Sequence, residues 1–177
     1  MAKKDKKEDQ TKTQQAQQPQ PAPQGQAPLN VLTQYVKDLS FENPNAPETL
    51  RGGQKPAEMN VNINMEMRKV GEDKPLYEVT LRVSATAKRE ENTDFIAEIT
   101  YAVLAQVGDM VPEEQHHPML LIECPKLAFP FVRQLLGNMT QQGGYPPLLL
   151  NPVDFEGLYR QQYAQMLKQQ QAQAAQN

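Results

Sequence analysis

The 177-residue chain has a single cysteine, Cys124, no tryptophan and two histidines, His116 and His117. One cysteine closes no intrachain disulfide, and a lone thiolate would need three other ligands for a zinc site, where the chain has only two histidines. No apolar run approaches the ~20 residues that cross a bilayer, so stable membrane insertion is not expected. The first twelve residues are charged and precede no apolar stretch, so a secretory signal is not expected either. Gly52-Gly53 and Gly143-Gly144 lack the following Lys and Ser/Thr of a phosphate loop. No nucleotide site, metal or other cofactor is expected, and the reading is of a soluble, cytoplasmic protein.

Charge divides what is there. Residues 1–28 hold five lysines against Asp5, Glu8 and Asp9, a net of +2, among glutamine, proline and alanine. With almost no apolar side chains, such a segment cannot offset the entropy of ordering, and it reads as a disordered tail. Residues 169–177 are Gln/Ala-rich and read the same way. Between the tails lies one domain, 29–168. Its stretch 29–160 carries 12 basic against 18 acidic residues, a net of −6. An acidic body argues against phosphate-backbone binding, so no nucleic-acid partner is expected. It favours a partner with a basic surface.

Four stretches have strand character: 30–38, 59–67, 76–87 and 93–107. In the first, Val31 and Tyr35 are the expected inward residues. The second alternates strictly, with Met59, Val61, Ile63, Met65 and Met67 on one side and three asparagines and Glu66 on the other. The third sets Tyr77, Val79, Leu81, Val83 and Ala85 against Glu78, Thr80, Arg82 and Thr86. The fourth sets Phe95, Ala97, Ile99, Tyr101 and Val103 against a face that Ile96 and Leu104 interrupt. Short polar links between the last three strands predict an antiparallel meander. Beyond Val107 the period turns helical. A short helix is expected over 112–124, and a separate one from Pro130, ended by Gly143-Gly144. A final helix is expected to start with Asn151 as its cap, Pro152 in its first turn and Asp154 at its positive end. Strands followed by helices make an α+β layout.

Little here could catalyse anything. Adjacent histidines in a helix point about 100° apart and do not grip one metal together, so His116 and His117 read as a surface pair. Cys124 reads as a small buried residue. An enzyme using Cys124 or the histidines in an apolar pocket is the rival class, marked by turnover of a small ligand. The distinctive feature is an apolar surplus, in Ile96, Leu104, Phe129, Phe131 and Leu148 to Leu150, more than one thin core needs. Such a surplus points to self-association and binding. The helix from Pro130, through Leu135 and Leu136, is the expected subunit contact.

Four segments together resemble one family. Residues 35–47 (YVKDLSFENPNAP), 77–83 (YEVTLRV), Cys124-Pro125 with 127–133 (LAFPFVR), and 144–155 (GYPPLLLNPVDF) are similar, in order, to SecB, the bacterial protein-export chaperone family. The resemblance implies a four-stranded antiparallel sheet with two main helices, assembled as a dimer of dimers. It implies an ATP-independent chaperone that holds unfolded precursor proteins and delivers them to the SecA motor. It places SecA contacts at Asp38, Glu42, Ile96 and Glu98, with Ile96 where the family often has Leu and Ala97 where it often has Cys. A groove for clients is expected from Met59, Val61, Ile63, Tyr145, Leu148, Leu150, Phe155 and Leu158. The alternative within the family is a SecB-like module dedicated to one protein partner.

Overall fold

The structure, a computed structural model, describes residues 27–51, 55–71 and 74–174, of which 166–174 are described by backbone alone. The strands are β1 (Leu29–Glu42), β2 (Glu58–Lys69), β3 (Leu76–Arg89) and β4 (Asn92–Val107), and the helices are α1 (Glu113–Gln142) and α2 (Phe155–Ala174). The four strands form one antiparallel sheet in the order β1-β4-β3-β2. The meander of β2, β3 and β4 follows the expected alternation, and β1 returns to pair with β4. The tail readings for 1–26 and 175–177 lie outside the described residues. The backbone of α2 runs on to Ala174, beyond the expected boundary at 168.

The core lies between one face of the sheet and α1. Val79, Leu81, Val83 and Ala85 of β3 and Ala97, Ile99 and Val103 of β4 are buried against Leu120, Cys124, Val132 and Leu136 of α1. These are the alternating positions of the central strands, which is why the pattern there was so clean. The edge strand β2 fades from this core. Met65 is buried, whereas Met59 and Val61, on the same face, are exposed.

Three expectations are corrected. First, the helical region is not split: α1 is one helix of 30 residues with Pro118, Pro125 and Pro130 inside it. An interior proline costs about 3 kcal/mol by removing a donor and crowding the preceding turn. Here Pro125 itself is buried, and the turns around it bury Leu120, Leu121, Cys124, Ala128, Phe129 and Val132. Each large apolar side chain so buried contributes about 1.5–3 kcal/mol, so packing on the sheet holds the helix through its prolines. Its end is as expected, with Gly144 at φ +91° and the Gly143 N–H on the Met139 carbonyl at 2.9 Å.

Second, Tyr35 faces away from the core. The register of β1 against β4 slips between Val31 and Thr33 and again between Val36 and Asp38. Each extra residue flips the faces that follow. Val31 therefore packs on the core while Tyr35, opposite Ala102, stands on the outer face. Third, Asp154 rather than Asn151 caps the last helix. Its Oδ1 accepts the Gly157 N–H at 3.0 Å, and its carbonyl accepts the Leu158 N–H at 3.0 Å. Gly157 is part of this cap, because a Cβ there would meet the Asp154 carboxylate at 2.5 Å.

The expected self-association residues are also redistributed. Leu136 is fully buried and Leu135 packs on the core. The apolar side chains that α1 leaves exposed are Leu127 and Phe131, and β1, an edge strand, leaves Leu32, Val36 and Leu39 exposed. Phe131 stacks on Tyr101 of the neighbouring strand at 6.0 Å between ring centroids.

Candidate functional site

The outer face of the sheet gathers all four expected docking residues. Asp38 lies opposite Thr100, Ser40 opposite Glu98 and Glu42 opposite Ile96 in the β1–β4 register. Side chains two apart on a strand share a face, so Ile96 and Glu98 stand side by side, with Asp38 and Glu42 on the next strand. Phe95, Ala97 and Ile99 point the other way, into the core. Asp38, Glu42 and Glu98 are exposed and Ile96 is half-buried. Ile96 thus has Glu42 opposite it and Glu98 two residues along its own strand, while Asp38 lies further along, opposite Thr100, which Arg82 of β3 flanks from the other side.

Behind it, still on the outer face, sits Glu78 of β3, only 2% exposed. The Tyr35 hydroxyl donates to its Oε1, and Lys37 Nζ (3.1 Å) and Arg68 Nε donate to its Oε2. These donors, Arg68 first, then Tyr35 and Lys37, outweigh burial and bring the carboxyl down to about 2. The network joins the two edge strands across the sheet. Sequence reasoning saw Glu78 only as a polar-face residue, since nothing in a period-2 pattern marks a carboxylate that three remote donors will converge on.

The other candidate region is a groove between β2, α1 and α2. Met65 and Met67 of β2, His117 and Leu121 of α1, and Tyr159 and Tyr163 of α2 surround a cavity of about 250 Å³. The Tyr159 and Tyr163 rings stack at 5.6 Å, and His117 lies tilted to both. Gln162 Nε2 donates to the Ile63 carbonyl at 3.3 Å, tying α2 to β2. A second, wider hollow of about 500 Å³ lies between α1 and the segment entering α2, walled by Phe129, Pro130, Val153 and Phe155 with Lys126 and Arg133 at its sides.

Of the eight residues expected to line a client groove, Met59 and Val61 are exposed, and Ile63, Leu148, Leu150 and Leu158 are half-buried. Two serve packing. Phe155 is 2% exposed with its ring against Phe129, so it is floor rather than accessible wall. The Tyr145 hydroxyl sits 2.8 Å from Asn43 Oδ1 and 2.9 Å from the Asp94 carbonyl, and its ring packs on Phe95. That tyrosine anchors the loop after α1 to the end of the sheet. His117, Tyr159 and Tyr163 were not expected in the groove. Their signal was available, because Tyr159 and Tyr163 stand four apart on one helical face.

The histidines are not a surface pair. His116 is buried, with Nε2–H donating to the Val111 carbonyl at 3.0 Å. That fixes Nδ1 as acceptor for the Tyr77 hydroxyl at 3.1 Å. His117 Nδ1 meets the Tyr159 hydroxyl at 3.0 Å, and burial lowers its pKa. Each ring has its own partners, as their angular separation requires. Cys124 is wholly buried, and burial pushes its thiol up to about 12, which leaves it no nucleophilic character at neutral pH. Among the described residues no group of three or more His, Cys, Asp or Glu could hold a metal ion. Among them, too, no helix is long and apolar enough to cross a membrane.

Comparison with known proteins shows the family of the chain. The family described as "Preprotein translocase subunit SecB" matches residues 22–166. The chain belongs to the SecB family. The protein-export protein SecB of Maricaulis maris is 55% identical over 140 residues, which span 78% of this chain and 80% of the relative. That of Rhodopseudomonas palustris (strain TIE-1) is 49% identical over 140 residues, 78% of this chain and 87% of the relative. Among solved structures, a SecB-like chaperone of Mycobacterium tuberculosis, in complex with a peptide from an antitoxin, superposes with a TM-score of 0.59. It is 12% identical and is covered over 91% of its length and 71% of this chain, a likeness of fold. The SecB match spans both candidate surfaces, the outer face with Asp38, Glu42, Ile96 and Glu98 and the groove beside α2.

Proposed function

We propose that this SecB-family export chaperone holds unfolded precursor polypeptides on the β2–α2 side without nucleotide, and hands them to SecA through the acidic outer face, as a cytoplasmic homotetramer. Membership in a family of preprotein-export chaperones carries the reading of function. The observation that supports holding is the exposure of Met59 and Val61 on β2, the strand whose Met65 and Met67 line a groove with Tyr159 and Tyr163. Flexible thioethers and rigid aromatic rings adapt to many side-chain shapes, as a binder of varied unfolded chains requires. The support for docking is the set of exposed carboxylates Asp38, Glu42 and Glu98 on the face that carries Ile96, which would speed encounter with a basic surface and make binding salt-sensitive. The support for assembly is the uncovered apolar strip of Val36, Leu39, Leu127 and Phe131 next to an unpaired edge strand.

The test is suppression of aggregation of several unrelated unfolded proteins in the absence of ATP. General suppression is expected. Activity confined to one protein would instead identify a module dedicated to a single partner.

A further inference from the structure

The acidic docking face has a cation built into it. Lys37 immediately precedes Asp38 in the chain, and it is the extra residue of the bulge between Val36 and Asp38. A lysine stem is long and flexible, and an ammonium so placed pairs with whichever carboxylate holds it best. Asp38 is its neighbour, and Glu42 and Glu98 lie on the same face. Yet Lys37 turns the other way, to Glu78 Oε2 at 3.1 Å. Tyr35 reaches Glu78 from the same strand, across β4, where Tyr35 lies opposite Ala102 and Glu78 opposite Leu104. Arg68 closes the opposite side from the far edge strand. Glu78 is almost wholly shielded, so its attraction for Lys37 is screened far less than that of the exposed carboxylates.

We propose that Glu78 is a positioning residue for the docking face: it draws Lys37 away from Asp38, Glu42 and Glu98 and so leaves those carboxylates free for a basic partner. The proposal rests on reading that face as the SecA contact. Without the Glu78 charge, Lys37 turns back and neutralises the face from within, competing with the partner's own cations.

Glu78→Gln removes the charge at nearly constant volume. In low salt, its affinity for SecA is expected to fall about tenfold, equivalent to about 1.4 kcal/mol, while aggregation suppression is unchanged. Adding Lys37→Gln to Glu78→Gln is expected to restore affinity to within about threefold of the wild type, because Lys37 no longer competes, while Arg82, opposite Thr100 on the same face, is common to every variant and Arg68 lies on the far edge strand. A merely structural Glu78 predicts no such rescue. Should Glu78→Gln not fold, Glu78→Asp withdraws the carboxylate from Lys37 by one methylene, and a smaller loss, likewise rescued by Lys37→Gln, is expected there. Normal SecA binding by Glu78→Gln, or a loss that Lys37→Gln does not rescue, overturns the proposal. Asp38→Lys with Glu98→Lys tests the face separately. If that variant loses SecA and Glu78→Gln does not, only the role of Glu78 falls. If that variant binds normally, the face itself is misassigned.

Discussion

Glu78 shows how much a single side chain can carry in this sheet. Its carboxyl stands near 4.5 in an ordinary setting and at about 2 here. A depressed acid contributes stability that is fully present above its unfolded value and lost as pH falls through the folded one. The stability difference between wild type and Glu78→Gln should therefore be constant above about pH 5 and shrink between about 4.5 and about 2. Chemical denaturation across that range checks it, and a difference that grows on acidification contradicts it. Cys124 gives a second residue-scale prediction. With its thiol wholly buried and raised to about 12, it should resist a thiol reagent at pH 8 in the native protein and react fully in denaturant. Rapid native labelling would show that the packing of α1 on the sheet does not cover it. Residues such as these were only half legible in the sequence. The burial of Cys124 followed from its apolar neighbours, whereas the partners of Glu78 come from residues 10 to 43 positions away.

At the scale of elements, β2, β3 and β4 were legible because alternation fixes both the strand and its buried face. Two things defeated the same reasoning elsewhere. Bulges in β1 reversed Tyr35, since period 2 has no memory past an inserted residue. Three prolines in α1 signalled a break that burial on the sheet overrides. Of the β2 residues expected to line a groove, Met59 and Val61 are exposed, and the expectation did not include Tyr159 and Tyr163 of α2, which form an aromatic wall beside Met65 and Met67. That wall yields a prediction. Replacing Tyr163 and Val61, both exposed, with Asp should leave the helical and sheet signals intact while weakening an unfolded client about tenfold, near 1.4 kcal/mol. Leu136→Ala, by contrast, empties a fully buried site under α1 and should cost about 2–5 kcal/mol in thermal or chemical unfolding. If the two substitution sets had the same effect on stability, the division between groove and core drawn here would be wrong.

For the whole molecule, one sheet covered by one long helix leaves two surfaces unserved by the fold itself. The apolar strip of Val36, Leu39, Leu127 and Phe131 flanks an open strand edge, and the expectation is burial between copies of the chain. Leu127→Asp with Phe131→Asp should lower the sedimenting mass at micromolar concentration without unfolding the subunit, because both side chains are nearly half exposed. The outer face, with Glu42 and Glu98 next to Ile96, is the surface proposed for a different kind of partner. Resemblance suggested those four residues, and the β1–β4 register brings them together. On the proposed reading, holding on one side and docking on the other would separate this export chaperone from a passive binder. The most direct measurement is the handover of a preformed complex with an unfolded precursor when SecA is added in low salt. Transfer of the precursor to SecA by the wild type, and its retention by Asp38→Lys with Glu98→Lys, is the result predicted. Equal transfer by both, or none by the wild type, would contradict the account.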